Sequence, residues 1–170
     1  NRDGYLGAGV QMFSHGVMTA LFFAAVGMVY DQAHTREIPR LGGFAKKMPF
    51  VAACFIIGGL VSMGMPGLSG FVAEFPIFMG VWQSANPWIA LVAAIAIVVT
   101  AAYILRIVQK VFFGEMPPEF EAHTHDVSAL DKVALALLAG ILILVGVYPD
   151  VITNLVASGV APIMRLLGGA

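Results

Sequence analysis

Charge is what this 170-residue sequence has least of. Asp, Glu, Lys and Arg make up 11% of it, against roughly 25% in ordinary soluble domains, and a soluble fold of this size could not cover itself with so few. Cys54 is the one cysteine, which excludes an intrachain disulfide and a cysteine-ligated metal or iron–sulfur site. In an apolar helix such a residue is a small packing group. Nine Lys and Arg stand against ten Asp and Glu, for a formal net charge of -1. The basic residues form no stripe, which sets nucleic acid aside as a partner. There is no Gly-rich phosphate loop, dinucleotide fingerprint or nucleophile elbow. No cofactor and no redox chemistry are therefore expected in this chain. An initiator methionine and the pattern of a signal peptide are missing too, so the chain is read as a fragment of a longer one.

Apolar residues are present in excess. The types A, V, I, L, M, F, W, Y and C form 59% of the chain and the mean hydropathy is +0.89. Lipid is the matching solvent, since a span needs about 20 apolar residues to cross roughly 30 Å of hydrocarbon. The expected fold is an all-α integral membrane protein, a single membrane region over 1–170 with about four transmembrane helices. The first covers about 5–30, with tyrosines at both edges where interfacial rings favour sitting. A polar loop with Pro39 and Gly42-Gly43 follows over 31–47. The second stretch, about 48–82, is too long for one ordinary span and is cut by Met65-Pro66-Gly67-Leu68-Ser69-Gly70. Pro66 removes a backbone donor while Gly67 and Gly70 open unwound conformations, so a helix broken at Pro66–Gly70 into segments of about 17 and 12 residues is expected. A tight turn between a full span and a re-entrant segment is the alternative. The third helix covers 87–113 and the fourth 129–148, with an acidic loop between them. The tail 150–170 is read as interfacial or packed on neighbours. Loops 31–47 and 107–132 hold Arg36, Arg40, Lys46, Lys47, Lys110 and Lys132, against Arg2 and Arg165 on the other side. The positive-inside rule makes those loops cytoplasmic.

Glu74 stands out as the one carboxylate inside an apolar segment, four residues after Gly70 and read as lying at the start of the second half-helix. An acid at the bilayer centre costs about 2.5 to 3.5 kcal/mol on translocon scales, and such residues face bundle interiors or watery cavities and relay protons or ions. The helix N-terminus favours the carboxylate and desolvation the neutral acid, so the group is poised to load and unload a proton. The competing reading is a static cap on the amides freed by the break. His15, in the middle of the first helix beside Ser14 and four residues before Thr19, is the second relay candidate, because an imidazole titrates near neutrality. The competing reading there is an ordinary packing histidine. Ser14, Thr19, Ser69, Thr100 and Tyr103 are hydroxyl or water-holding links, or simply packing residues. His123-Thr124-His125 has metal-ligand residue types, but at i, i+2 in a loop it assigns no metal.

The string Gln11-Met12-Phe13-Ser14-His15-Gly16, with Tyr30, His34-Thr35-Arg36-Glu37-Ile38 and Gly42-Gly43, resembles the chain M type of bacterial NADH–quinone oxidoreductase, whose mitochondrial counterpart is the fourth membrane-encoded subunit of respiratory complex I. The likeness continues through Gly64-Met65-Pro66-Gly67, Gly70-Phe71, Glu74-Phe75, Tyr103 and Lys110-Val111-Phe112-Phe113-Gly114, over roughly residues 5 to 150. It implies an antiporter-like fold of two inverted repeats, each with a broken helix bearing a titratable residue. By that likeness Glu74 is the acid of the second repeat's broken helix and His15 the histidine beside it on a central hydrophilic axis. Sibling chains and related cation antiporters tend to carry Lys at the position of Glu74. The first repeat and the earlier helices of the second are missing here.

The resemblance implies proton translocation coupled to quinone reduction elsewhere in a complex. NADH, flavin, iron–sulfur clusters and quinone would then belong to other subunits, and the partners would be sibling antiporter-like chains and the lipid of a bacterial inner membrane. A subunit of a multi-subunit cation/proton antiporter, or of a membrane-bound hydrogenase, is the second class of function. A membrane scaffold without transport is the third.

Overall fold

The computed structural model describes residues 1–84 and 86–168, and these form helices and loops with no strand among them. Helix α1 covers Arg2–Ala33, α2 Pro49–Ser62, α3 Ser69–Ser84, α4 Pro87–Phe112, α5 Pro118–Glu121, α6 Ala129–Val147 and α7 Asp150–Leu166. The chain is an all-α membrane protein: α1, α4 and α6 are each long and apolar enough to cross a bilayer. Large side chains such as Trp88, Val92, Ile95 and Val98 on α4 are exposed, as lipid or a membrane neighbour requires and water does not.

Helix α1 is longer than its apolar stretch. Asn1 caps it by accepting from the Gly4 N–H at 3.1 Å, and Asp3 suits the first turn. His34 closes it in the left-handed region at φ 49°, its N–H bonded to the Tyr30 carbonyl at 2.7 Å. Hydropathy marks where lipid ends, whereas the backbone ladder continues to a cap. At 32 residues α1 is about 48 Å long and exceeds the hydrocarbon thickness.

The second apolar stretch is a broken helix whose break runs over 63–68. Helix α2 ends in a Schellman motif, with Gly64 at φ 64°, its N–H on the Val61 carbonyl and the Met65 N–H on the Leu60 carbonyl, both at 3.0 Å. Met65-Pro66-Gly67-Leu68 then forms a turn closed by the Leu68 N–H on the Met65 carbonyl at 3.2 Å, with Gly67 at φ 88°. Pro second and a positive-φ Gly third are the residues a type II turn demands. Because that turn closes at Leu68, the halves are 14 and 16 residues long, not about 17 and 12. Gly70 is therefore not part of the break. It is buried in the first turn of α3, where a Cβ would collide with the Val61 carbonyl oxygen; its small size serves close approach and not unwinding.

The two halves act as one span, lying antiparallel along α1. Near one end the Asn1 side chain donates to the Gly80 carbonyl at 3.0 Å. Midway Ser14 meets Ser69, and beyond the break Leu21 and Phe22 face Gly58. The break itself rests on α6, where a Cβ on Gly146 would strike Gly67 and Leu68.

The loops 34–48 and 113–128 pack on each other at one end of the bundle. Phe44 is fully buried against Phe120, ring centroids 5.8 Å apart, the Gly43 N–H donates to the Phe113 carbonyl at 3.3 Å, and Arg40 pairs with Glu119 at 3.3 Å. His123 Nε2 lies 3.1 Å from the Gln32 carbonyl and the His125 N–H donates to the Gln32 side chain at 3.2 Å. The two histidines, exposed as read, thus also tie their loop to the end of α1. Helix α7 lies against α1, Val156 on Gly9, with Leu155 and Leu166 left exposed.

Candidate functional site

The helix ends that flank the break, the middle of α1 and the middle of α4 line a partly open cavity of about 200 Å³ in the membrane-spanning part of the chain. Helix α1 contributes Gln11, Ser14 and His15, α2 Ser62, α3 Glu74, and α4 Thr100 and Tyr103. This is a polar site between otherwise apolar helices, and it has room for several waters.

Glu74 lies in the second turn of α3, since the helix already begins at Ser69. The field of a helix end falls off within the first turn, so the dipole does less for this carboxylate than a place at the helix start would imply. Its Oε2 sits over Gly64, where a Cβ would come within 2.6 Å of it. Glycine there thus serves twice, for the positive φ and for the space taken by the carboxyl. Among the described residues Glu74 accepts no hydrogen bond, and the break's Gly64, Met65 and Leu68 N–H groups bond to backbone carbonyls instead. The geometry does not support a cap on those amides.

Ser14 and Ser69 are both buried and their Oγ atoms are 2.8 Å apart, bridging α1 to the first residue of α3. Ser14 also lines the cavity, so this pair fixes the register of the site's two walls. His15 is exposed at the cavity's rim, as is Tyr103. Thr19 is partly buried one turn along α1 and does not line the cavity. Pro66 and Gly67 shape the break without touching the cavity.

Two polar lining residues were not among the candidates expected from the sequence. Ser62 is one, its Oγ donating to the Gly59 carbonyl at 2.8 Å. Gln11 is the other, its Oε1 buried without a hydrogen-bond partner. The signal for Gln11 was its i, i+4 relation to His15, which places both on one face of α1.

Among the described residues no three His, Cys, Asp or Glu side chains converge as metal ligands. Outside the membrane, Lys132 Nζ lies 2.6 Å from Asp126 Oδ2. The hydrogen bond from Lys132 holds the Asp126 carboxyl below its ordinary range, with the Val127 N–H assisting and partial burial opposing.

Fold and site together define a class: a multi-pass helical membrane protein with a broken span, whose intramembrane acid opens onto a polar cavity between helices. The profile of the family described as "NADH:quinone oxidoreductase/Mrp antiporter, TM" matches residues 1–100, the segment holding α1 to α3 and the cavity's side chains up to Thr100, and the chain belongs to that family. It is 38% identical over 165 residues to the NADH-quinone oxidoreductase subunit M of Rhodobacter capsulatus, covering 97% of this chain and 32% of that protein. It resembles a chain of respiratory complex I from Thermus thermophilus at TM-score 0.87 and 32% identity, covering 99% of this chain and 35% of that one. A chain of the Mrp complex from Dietzia sp. DQ12-45-1b matches at TM-score 0.81 and 21% identity, over 92% of this chain and 37% of that one, a likeness of fold. The chain spans about a third of the length of the curated relatives it matches.

Proposed function

We propose that this chain is part of an antiporter-like, proton-translocating subunit of an NADH–quinone oxidoreductase, with Glu74 as a proton-loading site and His15 as its exchange partner. The observation that carries this is the placement of Glu74, uncapped and facing a cavity large enough for water in the middle of a membrane span. An acid without fixed hydrogen bonds to its carboxylate can take either protonation state as the cavity's hydration changes. His15 lines the same cavity, so cavity water joins the two, and an imidazole can both accept and donate a proton through its ring nitrogens. The Ser14–Ser69 bridge holds the two helices that carry them in register.

Electron transfer belongs to other subunits, which would hold NADH, flavin, iron–sulfur clusters and quinone. The sibling antiporter-like membrane subunits are the natural partners, in a bacterial inner membrane. The loops 31–47 and 107–132 face the cytoplasm in this reading, supported by their shared cations and by their packing on one another. The test is proton pumping by the full-length complex carrying Glu74→Gln in vesicles. Loss of pumping in an assembled complex supports the proposal. Wild-type pumping overturns it in favour of a scaffold, since glutamine keeps the shape and the hydrogen-bonding capacity but not the proton exchange.

A further inference from the structure

Gln11 lines the cavity that Glu74 faces, and its Oε1 is a buried acceptor with no partner. Leaving such a carbonyl unpaired is unfavourable, so the cavity must supply a donor. Of the hydroxyls lining the cavity, Ser14 is already engaged with Ser69 and Ser62 donates to Gly59, which leaves Thr100 on α4 and the titratable groups as possible donors. Among the titratable groups only His15 from α1 and Tyr103 from α4 line it beside Glu74, while α2 brings Ser62 and the described parts of α6 and α7 bring none. Both His15 and Tyr103 are exposed at the rim.

We infer that Gln11 is a positioning residue for proton loading, its amide oxygen accepting from the protonated Glu74 carboxyl directly or through one cavity water. A carboxylate cannot donate and a carboxylic acid can, so the partner of Gln11 is present in one protonation state and absent in the other. The amide thereby favours the loaded form.

This rests on Glu74 being the proton-loading site, and the test separates the two ideas. In the full-length assembled complex, the protonated carboxyl stretch of Glu74 is followed by difference infrared spectroscopy across pH, with Glu74→Gln identifying the band. Gln11→Asn keeps an amide but withdraws its oxygen by one methylene. We expect the band to shift and the proton affinity of Glu74 to fall about tenfold, one pH unit, the scale of one hydrogen bond. Gln11→Met, similar in shape and lacking the acceptor, moves the band to higher wavenumber even if Gln11→Asn fails to assemble. An unmoved band and midpoint in either assembled variant overturns the role of Gln11. Normal pumping by Glu74→Gln overturns the function reading instead, and leaves the Gln11 contact to be judged by the band alone.

Discussion

Gly70→Ala adds one methyl at the tightest backbone crossing in the broken span. A Cβ there meets the Val61 carbonyl oxygen, which is backbone and cannot swing aside as a side chain can. That oxygen also accepts the Gly64 N–H at 3.0 Å in the motif that ends α2. Relief therefore has to come from α3, which must move by on the order of 1 Å in a close-packed interior. Overpacking of this kind costs about 1–3 kcal/mol. The shift also pulls on the Ser14–Ser69 hydrogen bond one residue away, 2.8 Å long, and such bonds in membrane proteins are worth about 0.6 to 1.7 kcal/mol. Together the change costs about 2–4 kcal/mol, and it displaces Glu74 from its place over Gly64. The full-length subunit is expressed in its complex, and assembly, thermal dissociation midpoint and proton pumping are measured. Gly140→Ala on α6, where nothing lies within 4 Å of the added Cβ, is the control and should be neutral or stabilising by up to about 1 kcal/mol. We expect Gly70→Ala to lower the midpoint by several degrees and to reduce pumping, with Gly140→Ala unchanged or better. A Gly70→Ala complex with wild-type midpoint and pumping would refute the close-approach reasoning.

The Ser14–Ser69 bridge predicts a non-additive pair: each single alanine orphans a buried hydroxyl, whereas Ser14→Ala with Ser69→Ala removes both and should recover part of the loss. Thermal dissociation of the four complexes in the cycle reads this, and strict additivity would contradict it. Asp126, held below the ordinary carboxylate range by Lys132, adds stability to its loop above that range, and this increment is lost as pH falls through it towards the lowered folded value. The pair is partly exposed, so the increment is small and salt-screened. Hydrogen exchange of 113–128 should show protection falling below about pH 4 in the parent and less pH dependence in Asp126→Asn; equal profiles would argue against the pairing.

What the sequence revealed and what it hid divide along physical lines. The spans were legible because lipid demands apolar residues whatever the neighbours are, and the break because Pro66 and Gly67 carry their turn chemistry in their identities. The place of Glu74 on a polar cavity was legible because a lone acid in an apolar run needs polar or watery surroundings. The role of Gly70 was not, since a glycine that unwinds a helix and one that lets two backbones touch look alike until both strands of chain are placed. Gln11 was hidden for a related reason. A neutral amide in a long helix is ordinary, and only the cavity shows that its oxygen has no partner. Thr19 misled because a hydroxyl at i+4 from His15 shares a face with it without reaching the same cavity. The docking of loop 34–48 on 113–128 depends on Phe44 meeting Phe120 across 76 positions, and no local pattern encodes that.

Proton translocation through this chain requires that the Glu74 carboxyl exchange protons during turnover. Its most direct test is the proton-to-electron ratio of assembled, full-length complexes in vesicles carrying Glu74→Gln or Glu74→Asp, with quinone reduction followed in parallel. We expect a lowered ratio for Glu74→Gln and partial recovery for Glu74→Asp, which restores a titratable acid one methylene further from Gly64. A wild-type ratio for Glu74→Gln at normal assembly would contradict it.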